Sequence, residues 1–408
     1  MLLRMSRRAR SRRWRRAVLL AAACLLSACG TTPVRPIVAT STASFVATPA
    51  PTASATAAPA CTPLSAVDAW PPAQRAAQLV VAPALHGNAA ALGGAISQGV
   101  GGILILGAAA SDLRSQLSRA QAQARIPMIV MADQEGGGVQ RLGSLVGNLP
   151  WPREMVSQMT STGLQAAAAR VAAQMKALGV TMNLAPLLDL DAGDGPNDGD
   201  VIGLRSFSAD PGVTTAYALA FARGMGQGGE VPVAKHFPGI GGADGNTELG
   251  PATTQPIAAL RQAGLLPYQA AIAAGLPAVM VSHASIPGLS TAPASLSSAA
   301  ITGLLREQLG FKGLVLTDSL SAGAVSAAGY NLASAAVQAI SAGADMLLFG
   351  STLNDAQTAL LSPAGVAASV SSMVSALTAA VRDGRLPVSR LDDAVLHVLA
   401  VKGINPCA

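Results

Sequence analysis

The chain has 408 residues, half of them hydrophobic, 12% charged and only 3% aromatic. Its formal charge of +6 sits in one place: eight of the 27 Lys and Arg residues are arginines within the first sixteen positions, and without them 19 basic residues face 21 acidic ones, a balance of −2. A basic footprint for nucleic acid is therefore excluded from the rest of the chain.

From the N-terminus, the arginine-rich stretch runs into AVLLAAACLL. A transmembrane helix needs about 20 apolar residues, so this run is too short to span a bilayer. A basic lead, a short apolar run and small residues describe a secretory signal over 1–28. The junction LSAC, ending at Cys29, resembles the lipobox of bacterial lipoproteins, which implies lipidation of Cys29 and an exported protein anchored to the bacterial cell membrane. An ordinary signal with an incidental cysteine is the alternative. Residues 29–60 are Thr, Pro, Ala and Ser with almost no charge. They cannot bury enough apolar surface to offset their ordering entropy, which predicts a disordered, flexible tether. Residues 61–408 then form the folded region. Cys61 and Cys407 bracket it, and in an exported chain they are expected to pair as a disulfide, two free thiols being the alternative.

Within that region, apolar β-branched runs recur at 78–83, 101–106, 127–134, 180–190, 231–237, 277–284, 313–319 and 344–350. Ala/Leu-rich helical stretches separate them. Continuous apolar strands alternating with helices predict a parallel sheet buried on both faces. Eight such units in one domain predict a single (β/α)8 TIM-like barrel, with a doubly wound open sheet as the alternative.

Polar residues collect at the C-terminal ends of these runs: Asp133, Asp189, Lys235 with His236, His283, and Asp318. Any one could be a capping residue. Five strands ending in this way predict a polar-ligand pocket at the barrel mouth. Metal ligation is disfavoured, because the histidines come from distant strands with no ligand-spaced pair. Phosphate is disfavoured by the acids flanking the glycine-rich DQEGGGVQRL. Carboxylates accept from hydroxyls while Lys, Arg and His donate to them, which points to a carbohydrate. No cofactor is implied.

The segments MADQEGGGVQRL, NLAPLLDLD, GLRSFSADP, KHFPG, HASIPGLSTAPASLS, LLREQLGFKGLVLTDSLSAGA, AISAGADMLLF and RLDDAVLHVLAVKG resemble, in order, those of glycoside hydrolase family 3. Within it they are most similar to the bacterial β-N-acetylhexosaminidases of the cell-wall-recycling type. The resemblance covers nearly all of 66–403. It implies a retaining, exo-acting enzyme that releases terminal N-acetylglucosamine from peptidoglycan fragments. It also implies Asp318 as the nucleophile, and Asp133, Arg141, Arg205, Lys235 and His236 as the residues that hold the sugar. Glucosidases of this family usually add a second α/β domain, for which a chain ending at Ala408 leaves no room, so a single-domain monomer is expected.

The sequence departs from the family pattern in two places. The group's acid/base loop usually reads KHFPGHGxxxxDSH, whereas here Ile240, Asn246 and Glu248 stand at the first histidine, the aspartate and the second histidine. One reading makes Glu248 the acid/base, since a carboxylic acid needs no anionic partner to charge it. The other makes the protein a weakly active or non-catalytic sugar binder, and a β-glycosidase of different sugar specificity is a third. In addition, the family's GGR reads Gly136-Gly137-Gly138, without the arginine. The low aromatic content predicts a single-sugar pocket in place of a long cleft.

Overall fold

The computed structural model describes residues 61–197, 200–351 and 358–407. The expected signal, the tether and Cys29 lie outside the described residues. The strands in chain order are β1 (Val81–Leu85), β2 (Gly102–Leu106), β3 (Ile129–Ala132), β4 (Gln134–Gly136), β5 (Val139–Gln140), β6 (Met182–Asn183), β7 (Val231–Phe237), β8 (Ala278–Val281), β9 (Leu314–Ser319) and β10 (Met346–Leu348). All but β4 and β5 join one parallel sheet in the order β1-β2-β3-β6-β7-β8-β9-β10. Val80 pairs in parallel with Leu347, and the Leu347 N–H donates to the Leu79 carbonyl at 2.8 Å. These contacts bring the last strand back to the first, so the sheet is a nearly closed (β/α)8 barrel. β2 is buried along its whole length, as its unbroken apolar run requires in a sheet covered on both faces.

Two local features differ from expectation. The run 180–190 forms only a two-residue strand, because Pro186 has no N–H to give the ladder. Pairing resumes beyond it, where Leu187 bridges to Lys235. β4 and β5 form an antiparallel hairpin, which the sequence did not announce because its three consecutive glycines carry no alternating pattern.

The outer helices approach closely where their residues are small. Ser161–Leu178 and Pro211–Gly228 pack with Gly224 and Gly228 against Ala168, Ala169 and Ala172, and a Cβ on Gly224 would come 2.7 Å from that of Ala168. At the barrel floor, Asp345 precedes β10 and takes Arg306 at 2.6 Å and Arg390 at 2.5 Å. Arg390 belongs to the closing helix Val388–Val401, which also meets Arg75 through Asp392 at 2.6 Å. Among the described residues, Asp345, Asp393 and His397 form a tight acid–histidine cluster. The two arginines already occupy the Asp345 carboxylate, so the cluster is an ion network that ties the closing helix to β10. Cys61 and Cys407 form a disulfide with a Cα–Cα distance of 5.9 Å.

Candidate active site

Because the strands are parallel, their C-terminal ends deliver side chains to one rim. There a cavity of about 390 Å³ opens, lined by Asp133, Arg141, Arg205, Lys235, His236, Glu248 and Asp318 among others. Asp133 follows β3, Lys235 and His236 end β7, Asp318 ends β9, and Arg205 closes the short 3-10 turn Gly203–Arg205. Every residue the sequence placed around the sugar is therefore at this one cavity. The structure also brings in Glu248 from the loop after β7.

One wall is a chain of charge pairs. The Lys235 ammonium lies 2.6 Å from Asp133 and 2.7 Å from Glu135. Arg205 grips Glu135 in a bidentate pair, Nε to Oε2 at 2.9 Å and Nη2 to Oε1 at 2.8 Å. Arg141 stands 3.9 Å from Asp133. Burial alone would raise the Glu135 carboxyl, but Arg205 and Lys235 reverse this and hold it well below the usual range. Burial would likewise lower Lys235, and Asp133 and Glu135 override it to keep the ammonium charged. Glu135 had no role in the sequence reading. The available signal was an acid inside a glycine-flanked strand end, where only a paired charge is tolerated.

Two of the five polar strand ends stand behind the cavity wall. Asp189 is fully buried. It accepts from the His236 ring at 2.8 Å and from the Ile240 N–H at 2.8 Å. With Nδ1–H given to this carboxylate, His236 keeps Nε2 for a ligand. The His283 ring meets the Ser295 hydroxyl at 2.6 Å and the Ser319 carbonyl at 2.8 Å. A carbonyl only accepts, so His283 Nε2 carries the proton and Nδ1 receives the serine O–H. Burial lowers the His283 pKa despite the nearby Asp318 charge. This neutral ring is a strut fixing the residue after Asp318, so only one of the two histidines expected in the pocket lines it. Neither His86, bonded to the Ala108 carbonyl, nor His397, beside Asp345, reaches the cavity.

The two remaining carboxyls are driven apart. Burial would raise Asp318, but His236, the Ser319 N–H, which donates to it at 2.8 Å, and Lys235 hold it below the aspartate value. Glu248 goes the other way: burial first, then the Asp318 charge, push it up to about 8, against a hydrogen bond from Ser351. Its Oε2 is buried with no hydrogen-bond partner. Outside the charge-paired wall, the cavity thus sets a carboxyl held low, Asp318, against one pushed up, Glu248, which is how a protein separates a nucleophile from a proton donor.

Residues 76–401 match the family model described as the glycosyl hydrolase family 3 N terminal domain. The beta-hexosaminidase LpqI of Mycobacterium tuberculosis is 38% identical over 288 residues, which is 69% of each chain. Its solved structure superposes with a TM-score of 0.74 at 34% identity, covering 86% of this chain and 98% of that one. The beta-N-acetylhexosaminidase of Beutenbergia cavernae superposes with a TM-score of 0.71 at 29% identity, covering 82% and 99%.

Proposed function

The chain belongs to glycosyl hydrolase family 3 as a glycoside hydrolase of the β-N-acetylhexosaminidase kind, and we propose that it is a retaining, exo-acting enzyme whose nucleophile is Asp318 and whose acid/base is Glu248. Its substrate is a terminal β-linked N-acetylglucosamine on a peptidoglycan fragment. Asp133, Arg141, Arg205, Lys235 and His236 hold the sugar, the carboxylates accepting from its hydroxyls and the cations donating to them.

In the first step, the Asp318 carboxylate attacks the anomeric carbon while Glu248 gives its proton to the departing glycosidic oxygen. A covalent glycosyl-enzyme results. In the second, the Glu248 carboxylate takes a proton from water, whose oxygen attacks the same carbon and frees Asp318. The observation that carries this reading is the placing of two carboxyls of opposite environment in one cavity: Asp318 faces His236 and accepts the Ser319 N–H, while Glu248 is buried toward the Asp318 charge with its Oε2 unpartnered. It favours turnover over mere sugar binding, since binding alone needs no proton donor.

Two features support export and anchoring through Cys29: the signal-like N-terminus and the Cys61–Cys407 disulfide, a bond suited to an oxidising compartment.

The test uses residues 30–408 with nitrophenyl β-N-acetylglucosaminide, the matching β-glucoside, and a natural disaccharide. Wild type releases N-acetylglucosamine in preference to glucose, and Asp318→Ala is inactive on all three. Glu248→Gln loses about 10²–10⁴-fold on the disaccharide, the usual worth of a general acid, and far less on the activated nitrophenyl compound. Wild-type release no greater than that of Asp318→Ala would overturn the enzymatic reading.

A further inference from the structure

The loop bearing Glu248 is held from outside the cavity by the chain that follows the nucleophile. The Gly323 N–H donates to the Glu248 carbonyl at 2.9 Å, and the Ala324 N–H donates to the Thr247 carbonyl at 3.0 Å. Within the loop, Asn246 Oδ1 accepts the Glu248 N–H at 3.0 Å, and the Asn246 carbonyl accepts the N–H groups of Leu249 and Gly250, each at 3.0 Å. The residue at the position of the missing aspartate has thus become the turn that orients the glutamate.

The docking is tight. A Cβ on residue 323 would overlap the Leu249 carbonyl and lie 2.8 Å from the Gly250 nitrogen. Gly323 does not have a left-handed φ, so the demand for glycine here is one of space. Gly323 also begins the short helix Gly323–Ala327, where alanine would suit the backbone better by up to about 1 kcal/mol. Close approach of the acid loop outweighs that preference.

Resting on the reading of Glu248 as the acid, we propose that Gly323 is a positioning residue for catalysis: its bare backbone latches the acid loop to the segment five residues beyond Asp318. Retaining enzymes need their two carboxyl groups about 5–5.5 Å apart. Two main-chain hydrogen bonds to the segment that follows the nucleophile's strand fix the acid loop relative to Asp318. The Ser351 hydroxyl holds the Glu248 carboxyl itself.

The experiment compares Gly323→Ala, Ala324→Pro and Glu248→Gln with wild type on methyl β-N-acetylglucosaminide, a poor leaving group, and on the 2,4-dinitrophenyl glycoside, which departs without protonation. Proline is tolerated in the first turn of a helix, so Ala324→Pro removes one latch bond without bulk at 323. If Gly323→Ala does not fold, this variant decides the question by the same criterion. The latch predicts a loss of about 10-fold or more in kcat/KM on the methyl glycoside for both variants, with the dinitrophenyl rate kept within about 3-fold. It also predicts faster hydrogen exchange at residues 247–250 and unchanged exchange in the barrel strands. Equal effects on the two substrates, or none, while Glu248→Gln still separates them, would overturn the latch and leave the acid assignment standing. A Glu248→Gln variant that fails to separate them would remove the acid assignment itself.

Discussion

A glutamate at a position where relatives of this type carry a histidine has to be tuned by different physics. An imidazolium is charged, so an anionic partner stabilises it; a carboxylic acid is neutral, so burial and a nearby negative charge stabilise it instead. Glu248 has both, with Asp318 as the charge, and rises to about 8. The consequence for pH has a definite sign. As the proposed acid, Glu248 can give up a proton below about 8 and loses that capacity as pH rises through it. Asp318, held below the aspartate range, loses its charge only in more acidic solution. The pH profile of kcat/KM on an unactivated substrate is therefore expected to stay flat through neutrality and to fall about tenfold per unit above pH 8. Glu248→Gln should abolish the alkaline limb along with most of the rate. An alkaline limb that persists unchanged in Glu248→Gln would assign it to another group. The sequence pointed to both carboxyls by position. It could not show that their environments push them in opposite directions, because that depends on burial and on Lys235 and His236 arriving from another strand.

Between residues and the whole barrel, the turn joining β4 to β5 explains the second departure from the family pattern. Gly137 has φ +56°, a left-handed backbone that glycine adopts without strain. The Trp151 indole lies against Gly137 and Gly138, and a Cβ on Gly138 would come 2.8 Å from the ring. The space beside residue 138 is thus taken by an aromatic ring reaching in from 151, a contact invisible in a linear motif. Gly138→Arg should destabilise the protein by about 1–3 kcal/mol through overpacking, read as a lowered urea midpoint. Trp151→Ala introduced in the same chain should cancel much of that cost, since contacting sites couple. Purely additive losses would show that the ring and the turn do not compete for space. The hairpin itself escaped sequence reading because glycine-rich segments carry no alternating pattern.

For the molecule as a whole, stability depends on how the ends of the barrel are fastened. The closing helix is tied to β10 through Arg390 and Asp345 and to the first turns through Asp392 and Arg75, and the disulfide joins residue 61 to residue 407. Linking positions 346 residues apart restricts the unfolded chain far more than the folded one. Cys61→Ser with Cys407→Ser is expected to cost about 2–5 kcal/mol in unfolding free energy, measured by urea denaturation, while kcat on the nitrophenyl glycoside is kept. Loss of kcat in the folded variant would mean that the terminal link shapes the mouth as well as the floor.

The order of strands, the barrel and a polar rim at the strand ends were legible in the sequence, because period, length and strand-end polarity are local properties of a chain; Arg141 and Arg205 entered only through the resemblance to the family. Asp133, Lys235, His236 and Asp318 meet at one cavity because parallel strands end on the same side, and the segments after β5 and before the helix Pro211–Gly228 bring Arg141 and Arg205 to it. Only the tertiary structure separated lining residues from supports, setting Asp189 and His283 behind the wall and Glu135 within it. It alone tied the Glu248 loop to the segment that follows Asp318, through the N–H groups of Gly323 and Ala324. Those relations join residues distant in sequence, and their energies come from burial and charge pairing that exist only once the barrel has closed.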